Sequence, residues 1–324
     1  MENLLTVARQ VAILFVLMGF GAAMRKAGFF KENAIDGIVN VLILVVTPCL
    51  IVDVFQRPFD PSMLKGLGCA FALAVLVHIA LIALSRLVVR HGDENVRRPL
   101  QLAAVFSNAG FMGIPLEQAV LGDAGVFYGI VYVVVYNLFF WSWGYHLMKS
   151  EECKVKNKTM VNRQVFHSSL FTLHSVVNPG TVGLALGAPL FFCSTNLPEV
   201  LATPIHHMAN LNTPLAMIVI GYTLAGASFG RVLRTGAVYV SAFARLVVSP
   251  LLLVAVLCAF RGSLDRNMML ALVIAASAPV GAMVAMFATK FRRNVDVAVS
   301  VVSGTTLLSI LTMPLVIALA MEVL

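Results

Sequence analysis

Charged side chains are scarce in this sequence. Only 12% of the 324 residues are Asp, Glu, Lys or Arg, which is about half the share that soluble domains carry. Hydrophobic residues make up 60% of the chain, and the mean hydropathy is +0.92. This composition excludes a soluble domain of ordinary kind and predicts a chain that has lipid as its main solvent.

Cysteine and histidine patterns typical of metal sites are also missing. The five cysteines form no CxxC pair, and no histidine stands at ligand spacing from them. We therefore expect no metal site, no disulfide framework and no cofactor. The net charge of +8 does not indicate nucleic-acid binding, because the basic residues fall in the gaps between apolar runs.

Long apolar runs are what the chain does contain, and they predict an all-α membrane protein with ten transmembrane helices. Most Lys and Arg residues fall in one alternating set of loops, which the positive-inside rule places in the cytoplasm. Both termini are then predicted outside, in the inner (plasma) membrane of a bacterial cell. The predicted spans lie near residues 4–24, 36–55, 63–89, 100–121, 125–148, 175–193, 200–228, 232–260, 267–289 and 295–322.

One long polar connection, residues 151–174, divides the chain into two parts. The parts, 1–150 and 175–324, each hold five predicted spans, and the connection is predicted to be cytoplasmic. Because five is an odd number, two similar parts must lie in the membrane with opposite orientation. This is the inverted-repeat arrangement of many secondary transporters.

Proline and glycine interrupt the predicted spans at matching places in the two halves. Thr47-Pro48 interrupts the second span and Thr213-Pro214 the seventh, while the fourth contains SNAGFMGIP at 107–115 and the ninth SAPVG at 277–281. The last proline of the fourth span follows that of the second by 67 residues, and the proline of the ninth follows that of the seventh by 65. The paired spacing supports an inverted repeat with broken, crossing helices 4 and 9.

These breaks are the predicted substrate site. A broken helix leaves backbone groups that lipid cannot satisfy, so the break must face protein or a water-filled cavity. Two breaks that cross near the midplane present helix ends to one ligand, and an exposed helix N-terminus attracts anions. The alternative is that the glycines only allow close helix packing. The residues predicted to bind substrate are Asn108, Gly110, Gly113, Pro115, Ser277, Pro279, Gly281 and Arg245.

Two basic residues occupy corresponding places in the two halves. His78 follows Pro48 by 30 residues, and Arg245 follows Pro214 by 31. An unpaired arginine at the centre of a span costs at least about 2.5 kcal/mol, so Arg245 needs a partner. Either Arg245 supplies positive potential for an anion and His78 titrates during transport, or both are structural and bond to buried partners such as backbone carbonyls.

Other polar residues lie in spans expected to pack beside the breaks. Asp53 and Glu117 are expected near the outer ends of their spans, in contact with water, with the binding of a coupling proton as the alternative. Cavity or coupling roles, as against hydrogen bonds between helices alone, are open for His78, Asn137, Asn212, Thr213 and Thr305.

Several of these segments together resemble the auxin efflux carrier family of the bacterial kind, in the superfamily of the bile-acid sodium symporters. The resemblance covers essentially the whole chain. It depends most on NAGFMGIP at 108–115, Thr47-Pro48, NTPL at 212–215 with Gly221, SAPVG at 277–281 and RKAG at 25–28.

The resemblance implies two inverted five-helix repeats, with a panel domain from spans 1, 2, 6 and 7 and a transport domain from the other six. It also implies that the crossover of spans 4 and 9 holds the substrate. Family members move auxin in plants and small carboxylates such as malonate, malate or lactate in bacteria. The long cytoplasmic loop of many plant members is absent here, which favours a bacterial carboxylate carrier.

We therefore expect a secondary transporter of a small organic anion, a mono- or dicarboxylate such as malonate or malate, that works by elevator-like alternating access. Efflux of an auxin-like aromatic carboxylate, or a channel or receptor on the same fold, is the alternative. We do not expect an enzyme, because the acids are scattered and His78 is isolated. The expected partners are the anion and membrane lipid, without nucleic acid; the coupling ion, H⁺ or Na⁺, and a homodimer are open.

Overall fold

The protein is described by a computed structural model that covers residues 2–29, 32–149, 179–226 and 235–324. Within these ranges the regular structure is helical, apart from one isolated backbone bridge. The helices are α1 (Glu2–Lys26), α2 (Glu32–Val41, Leu42–Val46 and Thr47–Phe55), α3 (Pro61–Val88), α4 (Glu94–Val105), α5 (Ala109–Gly113 and Ile114–Leu121), α6 (Asp123–Phe139, Phe140–Gly144 and Tyr145–Met148), α7 (Pro179–Phe192), α8 (Glu199–Asn210), α9 (Asn212–Ala225), α10 (Gly236–Phe243, Ala244–Val248 and Ser249–Cys258), α11 (Arg266–Ser277), α12 (Met283–Lys290) and α13 (Val295–Val323).

Seven of these helical stretches are long and apolar enough to cross a membrane, which confirms a multi-pass, all-α membrane protein. Helices α7 and α11 are apolar but shorter. The ten-span inverted repeat and the orientation of the termini stay predictions, and the predicted loop 151–174 lies outside the described residues. The seven stretches are Asn3–Lys26, Ala34–Phe55, Pro61–Val88, Asp123–Met148, Glu199–Ala225, Gly236–Cys258 and Val295–Val323.

The predicted fourth and ninth spans are each divided between two helices. Helix α4 ends at Val105 and α5 begins at Ala109, while α11 ends at Ser277 and α12 begins at Met283. The break between α11 and α12 is caused by Pro279, because the residue before a proline is disfavoured in helical geometry. Ala278, which precedes Pro279, has φ −60° and ψ 147° and is extended.

The predicted second span is widened rather than broken. Helix α2 passes through a π-helical turn at Leu42–Val46 and continues as Thr47–Phe55. Pro48 has no N–H to donate to the preceding turn, and the wider turn lies just before it. The hydroxyl of Thr47 donates to the carbonyl of Leu42 at 2.9 Å, so this carbonyl has a partner. The predicted seventh span is interrupted at the single residue Leu211, between α8 and α9, and Thr213-Pro214, where the interruption was predicted, lies in the first turn of α9.

The helices pack in two groups that meet along α1, α5 and α9. In one group α1 lies along α9, and α2 lies along α7 and α8. In the other, α6 contacts α3 and α11, and α13 contacts α4 and α11. Helix α5 contacts α1 and α9 as well as α6 and α11. The break in α4–α5 therefore lies where the two groups touch.

Glycine allows the closest of these contacts. A Cβ at Gly21 of α1 would overlap the backbone of Ile218, and a Cβ at Gly221 of α9 would overlap the backbone of Met18. Each glycine thus admits the main chain of the opposite helix, as small residues commonly do between membrane helices.

Candidate functional site

The two helix breaks lie side by side and are joined through their backbones. Ser107 and Val280 form an antiparallel bridge. The N–H of Asn108 donates to the carbonyl of Pro279 at 2.6 Å, and the N–H of Gly281 donates to the carbonyl of Phe106 at 3.1 Å. Two of the N–H groups and two of the carbonyls released by the breaks are thus satisfied by each other. We call residues 106–108 and 278–281 the crossover.

Thr305 of α13 supports the crossover from one side. The N–H of Val280 donates to its hydroxyl oxygen at 3.1 Å. The hydroxyl in turn donates to the carbonyl of Val301, one turn earlier in α13, at 2.7 Å. Thr305 was predicted as a cavity or coupling residue. Its side-chain hydroxyl contacts the backbone of the break directly.

Arg245 of α10 holds the ends of both half-helices that lead into the crossover. Its fully buried guanidinium donates to the carbonyl of Val105, the last residue of α4, at 2.6 Å, and to the carbonyl of Ala276 near the end of α11. It also donates to the hydroxyl of Ser249 at 2.7 Å. A positive charge is favourable at helix C-termini, where the helix dipole is negative. These bonds match the structural role that the sequence left open.

His78 of α3 lies in an aromatic enclosure beside the same site. Its ring is fully buried and stacks on Phe139 with centroids 5.4 Å apart, and it lies 5.1 Å from the ring of Tyr132 and 6.0 Å from that of Phe106. Nδ1 is 2.8 Å from the carbonyl of Ala74, so it must donate. Nε2 has no hydrogen-bond partner among the described residues.

Asn108 carries a side-chain amide that remains available to a ligand. The residue is 7% exposed, and in the described part of the chain its amide makes no hydrogen bond and does not cap α5. The buried hydroxyl of Ser107 likewise has no partner there. A Cβ at Gly110 would meet no atom within 4 Å, so open space lies beside this residue.

The other predicted binding residues have mostly packing roles in this conformation. A Cβ at Gly281 would lie 3.0 Å from the carbonyl oxygen of Ser107, and one at Gly113 would lie 3.5 Å from the Cα of Ala275. Pro115 is buried in the first α-helical turn of α5. The hydroxyl of Ser277 donates to the carbonyl of Ile274 at 2.9 Å in its own helix.

The remaining predicted cavity residues are less closely tied to the crossover. The amide of Asn137 donates to the carbonyl of Val133 in its own helix at 2.9 Å. Asn212 is buried at the start of α9 and Thr213 follows it, in a helix that packs against Ala109–Gly113 of α5. Asp53 is 2.9 Å from the ring of His206 and is partly exposed; its place at the outer end of a span stays a prediction.

Two tyrosines of α6 belong to the site and were not predicted. The hydroxyl of Tyr136 lies 3.2 Å from the position of a Cβ on Gly281. Tyr132 is fully buried beside His78, and its hydroxyl lies beside the guanidinium of Arg245. The available signal was their spacing, because residues four apart share a helix face and a tyrosine in an apolar helix needs a partner for its hydroxyl.

Glu117 of α5 corrects an expectation. The sequence placed it near the outer end of a span, in contact with water, yet its side chain is fully buried. The reason is the glycine face of α6, since a Cβ at Gly129 would overlap the Glu117 carboxyl. A cavity of about 570 Å³ lies away from the crossover and is lined by residues that include Arg86, Arg90 and Arg97.

Comparison with known proteins identifies the class of molecule that carries this site. The family model described as membrane transport protein matches residues 6–317, nearly the whole chain. A protein of Methanothermobacter thermautotrophicus described as an uncharacterized transporter is 26% identical over 309 residues, which cover 94% of this chain and 95% of that protein.

Proposed function

This chain belongs to the membrane transport protein family, the family of the auxin efflux carriers, and on that premise we propose that it is a secondary active transporter of a small organic anion. The proposed substrate is a mono- or dicarboxylate such as malonate or malate. The proposed mechanism is alternating access, in which the group that contains α3, α6, α11 and α13 slides past the group that contains α1, α2, α7 and α9.

The observation that carries this proposal is the unbonded amide of Asn108 at the crossover. The residue is largely buried, yet its amide makes no hydrogen bond with the described residues, so the amide is available to bond to a ligand. Its NH₂ group can donate to a carboxylate. It lies immediately before α5, whose first N–H groups have no intrahelical acceptor and whose dipole favours negative charge. Gly110 leaves open space beside it.

The charge of the substrate sets the energetics of its movement. An inside-negative membrane potential opposes anion entry by about 2.3 kcal/mol per charge for each 100 mV. Import of a dicarboxylate therefore needs a coupled cation, H⁺ or Na⁺, whereas export is helped by the potential. Either direction is compatible with the proposed site, so the transport assay must test both gradients.

The test is uptake of labelled malonate, malate and lactate into proteoliposomes under imposed pH and sodium gradients. Saturable uptake of one acid, lost in Asn108→Ala and retained in Asn137→Ala, would support a carboxylate carrier that uses the crossover. Asn137→Ala is the matched control, because it removes the same amide from a side chain bonded within its own helix.

Other results would redirect the assignment. Uptake of an aromatic acid such as indole-3-acetate in place of the small acids would favour an auxin-like substrate. Flux that does not saturate would favour a channel, and binding without flux a receptor. Equal uptake by Asn108→Ala and the parent protein would remove the crossover amide from the mechanism.

A further inference from the structure

Glu117 is a buried acid without a bonding partner. It lies on α5, nine residues after Asn108, the residue that immediately precedes this helix. The residue is fully buried, and neither carboxyl oxygen has a hydrogen-bond partner among the described residues. An ionised carboxylate in such a place is strongly disfavoured, so the packed group is a neutral acid.

The surroundings of the carboxyl are glycine surfaces. Gly129 of α6 lies directly against Oε2, and the Cβ position of Gly113 lies 3.8 Å from Oε1. Small residues therefore replace the hydrogen-bond donors that normally surround a buried acid. The carboxyl fits against these glycines, but no hydrogen bond from the described residues stabilises its charged form.

Charged and titratable groups on the neighbouring helices leave the carboxyl unpaired. Helix α5 packs against α1, α6, α9 and α11. Arg9, Asp123 and Arg266 are exposed, and none of the groups on these helices makes a hydrogen bond with the carboxyl within the described part of the chain. Those groups are Arg9, Arg25 and Lys26 on α1; Asp123, Tyr128, Tyr132, Tyr136, Tyr145 and His146 on α6; Tyr222 on α9; and Arg266 on α11.

This environment fits a proton better than a metal cation. Hard cations take several oxygen ligands, and in the described residues no group of three His, Cys, Asp or Glu side chains stands together. A proton needs one carboxyl oxygen. Protonation also removes the charge whose burial is unfavourable.

We propose that Glu117 is the proton-binding site that couples transport in this protein. The carboxylate takes up a proton from water when α5 is exposed on one side of the membrane, and it carries the neutral acid while packed on Gly129. It returns the proton to water on the other side. The inference rests on the proposed function, because the substrate amide of Asn108 directly precedes the helix that carries the proton site.

A movement of the two helix groups gives the acid a route to water. Helix α5 contacts α1 and α9 of the first group as well as α6 and α11 of the second. Sliding of one group past the other therefore changes the cover that α5 receives from α1 and α9. Substrate and proton would move together, because Asn108 directly precedes the helix that carries Glu117.

The experiment combines infrared spectroscopy with transport by the parent protein, Glu117→Gln and the control Asp123→Asn. Gln is neutral and close in shape to the protonated acid, whereas Asp123 is an exposed carboxyl on the adjoining helix. At neutral pH we expect a carbonyl stretch of a neutral carboxylic acid in the parent protein and in Asp123→Asn. The band should be missing in Glu117→Gln.

The transport arm compares malonate counterflow at equal pH with uptake driven by a pH gradient. We expect Glu117→Gln to retain at least half of parental counterflow and to lose tenfold or more of the gradient-driven uptake. Asp123→Asn should keep both. An infrared band that survives in Glu117→Gln, or gradient-driven uptake equal to the parent's, would overturn the proposal.

A failure of the proposed function looks different. If the parent protein moves no organic acid in either assay, the carboxylate assignment fails and the infrared arm alone decides the proton site. Absence of the neutral-acid band in the parent protein then overturns it, and specific loss of the band in Glu117→Gln keeps Glu117 as the proton site of another transport activity.

Discussion

The guanidinium of Arg245 donates to the carbonyl of Val105 at 2.6 Å, although the two residues are 140 positions apart in the chain. A second N–H donor of the same side chain bonds to the carbonyl of Ala276. One cation in α10 therefore holds the carboxyl ends of α4 and α11 together. The crossover is positioned by this side chain as well as by its own backbone bridge.

We predict that Arg245→Met destabilises the protein. The change leaves the carbonyls of Val105 and Ala276 without their donor, at about 1–3 kcal/mol for each buried group left unsatisfied. Arg245→Lys should be intermediate, because an ammonium keeps the charge and loses the planar fork. Thermal unfolding in detergent measures the effect. Unchanged unfolding together with a raised malonate KM would instead mean that Arg245 acts on the substrate.

We predict that Thr305→Val destabilises the break between α11 and α12. Valine has a similar shape but cannot accept the hydrogen bond from the N–H of Val280, and a buried N–H left unpaired costs about 1–3 kcal/mol. Thr306→Val is the matched control, because the Thr306 hydroxyl, among the described residues, bonds to the carbonyl of Val302 in its own helix. Equal unfolding temperatures for the two variants would contradict the role given to Thr305.

We predict that Gly129→Ala is destabilising by about 1–3 kcal/mol, the usual cost of overpacking. Its Cβ would overlap the carboxyl of Glu117. Gly68→Ala in α3 is the control, since a Cβ there meets nothing within 4 Å, and Gly→Ala in a helix normally stabilises by about 0.5–1 kcal/mol. A double variant with Glu117→Ala should recover most of the lost stability; strictly additive effects would argue against the contact.

We predict opposite effects for two glycines of α1. Gly21→Ala places a Cβ on the backbone of Ile218 and should separate α1 from α9, whereas Gly19→Ala meets nothing within 4 Å and should be neutral or stabilising. The unfolding temperature of each variant in detergent checks the difference. Similar values for both would show that α1 and α9 do not approach as closely as described.

The positions of the helices could be predicted from the sequence because local patterns determine them. Apolar runs predicted each membrane-crossing stretch to within a few residues, and Ala278-Pro279 predicted a break because the residue before a proline is disfavoured in helical geometry. The widened turn before Thr47-Pro48 was less accessible. Proline alone does not decide between a broken helix and a π-helical turn that keeps the chain continuous.

The residues that surround Asn108 could not all be predicted, because many of their contacts join segments that are distant in the sequence. Asn108 was accessible to prediction, since an amide beside a glycine-rich break is visible in the sequence. Tyr136 and the bonds of Arg245 to Val105 and Ala276 depend on the contacts of α6, α10 and α11. The burial of Glu117 depended on a glycine of another helix, which a pattern within one span does not show.

The bridge between Ser107 and Val280 holds the two helix breaks together without using side-chain atoms, so the shape of the crossover does not depend on the groups that would bind a ligand. Its two hydrogen bonds join main-chain atoms, at Asn108 with Pro279 and at Gly281 with Phe106. Replacements by side chains of similar or smaller size at 107, 108 and 280, proline excepted, leave such bonds intact. A library of such side chains at these positions should therefore yield folded variants with altered ligand preference, and selectivity can diverge here while the scaffold stays the same.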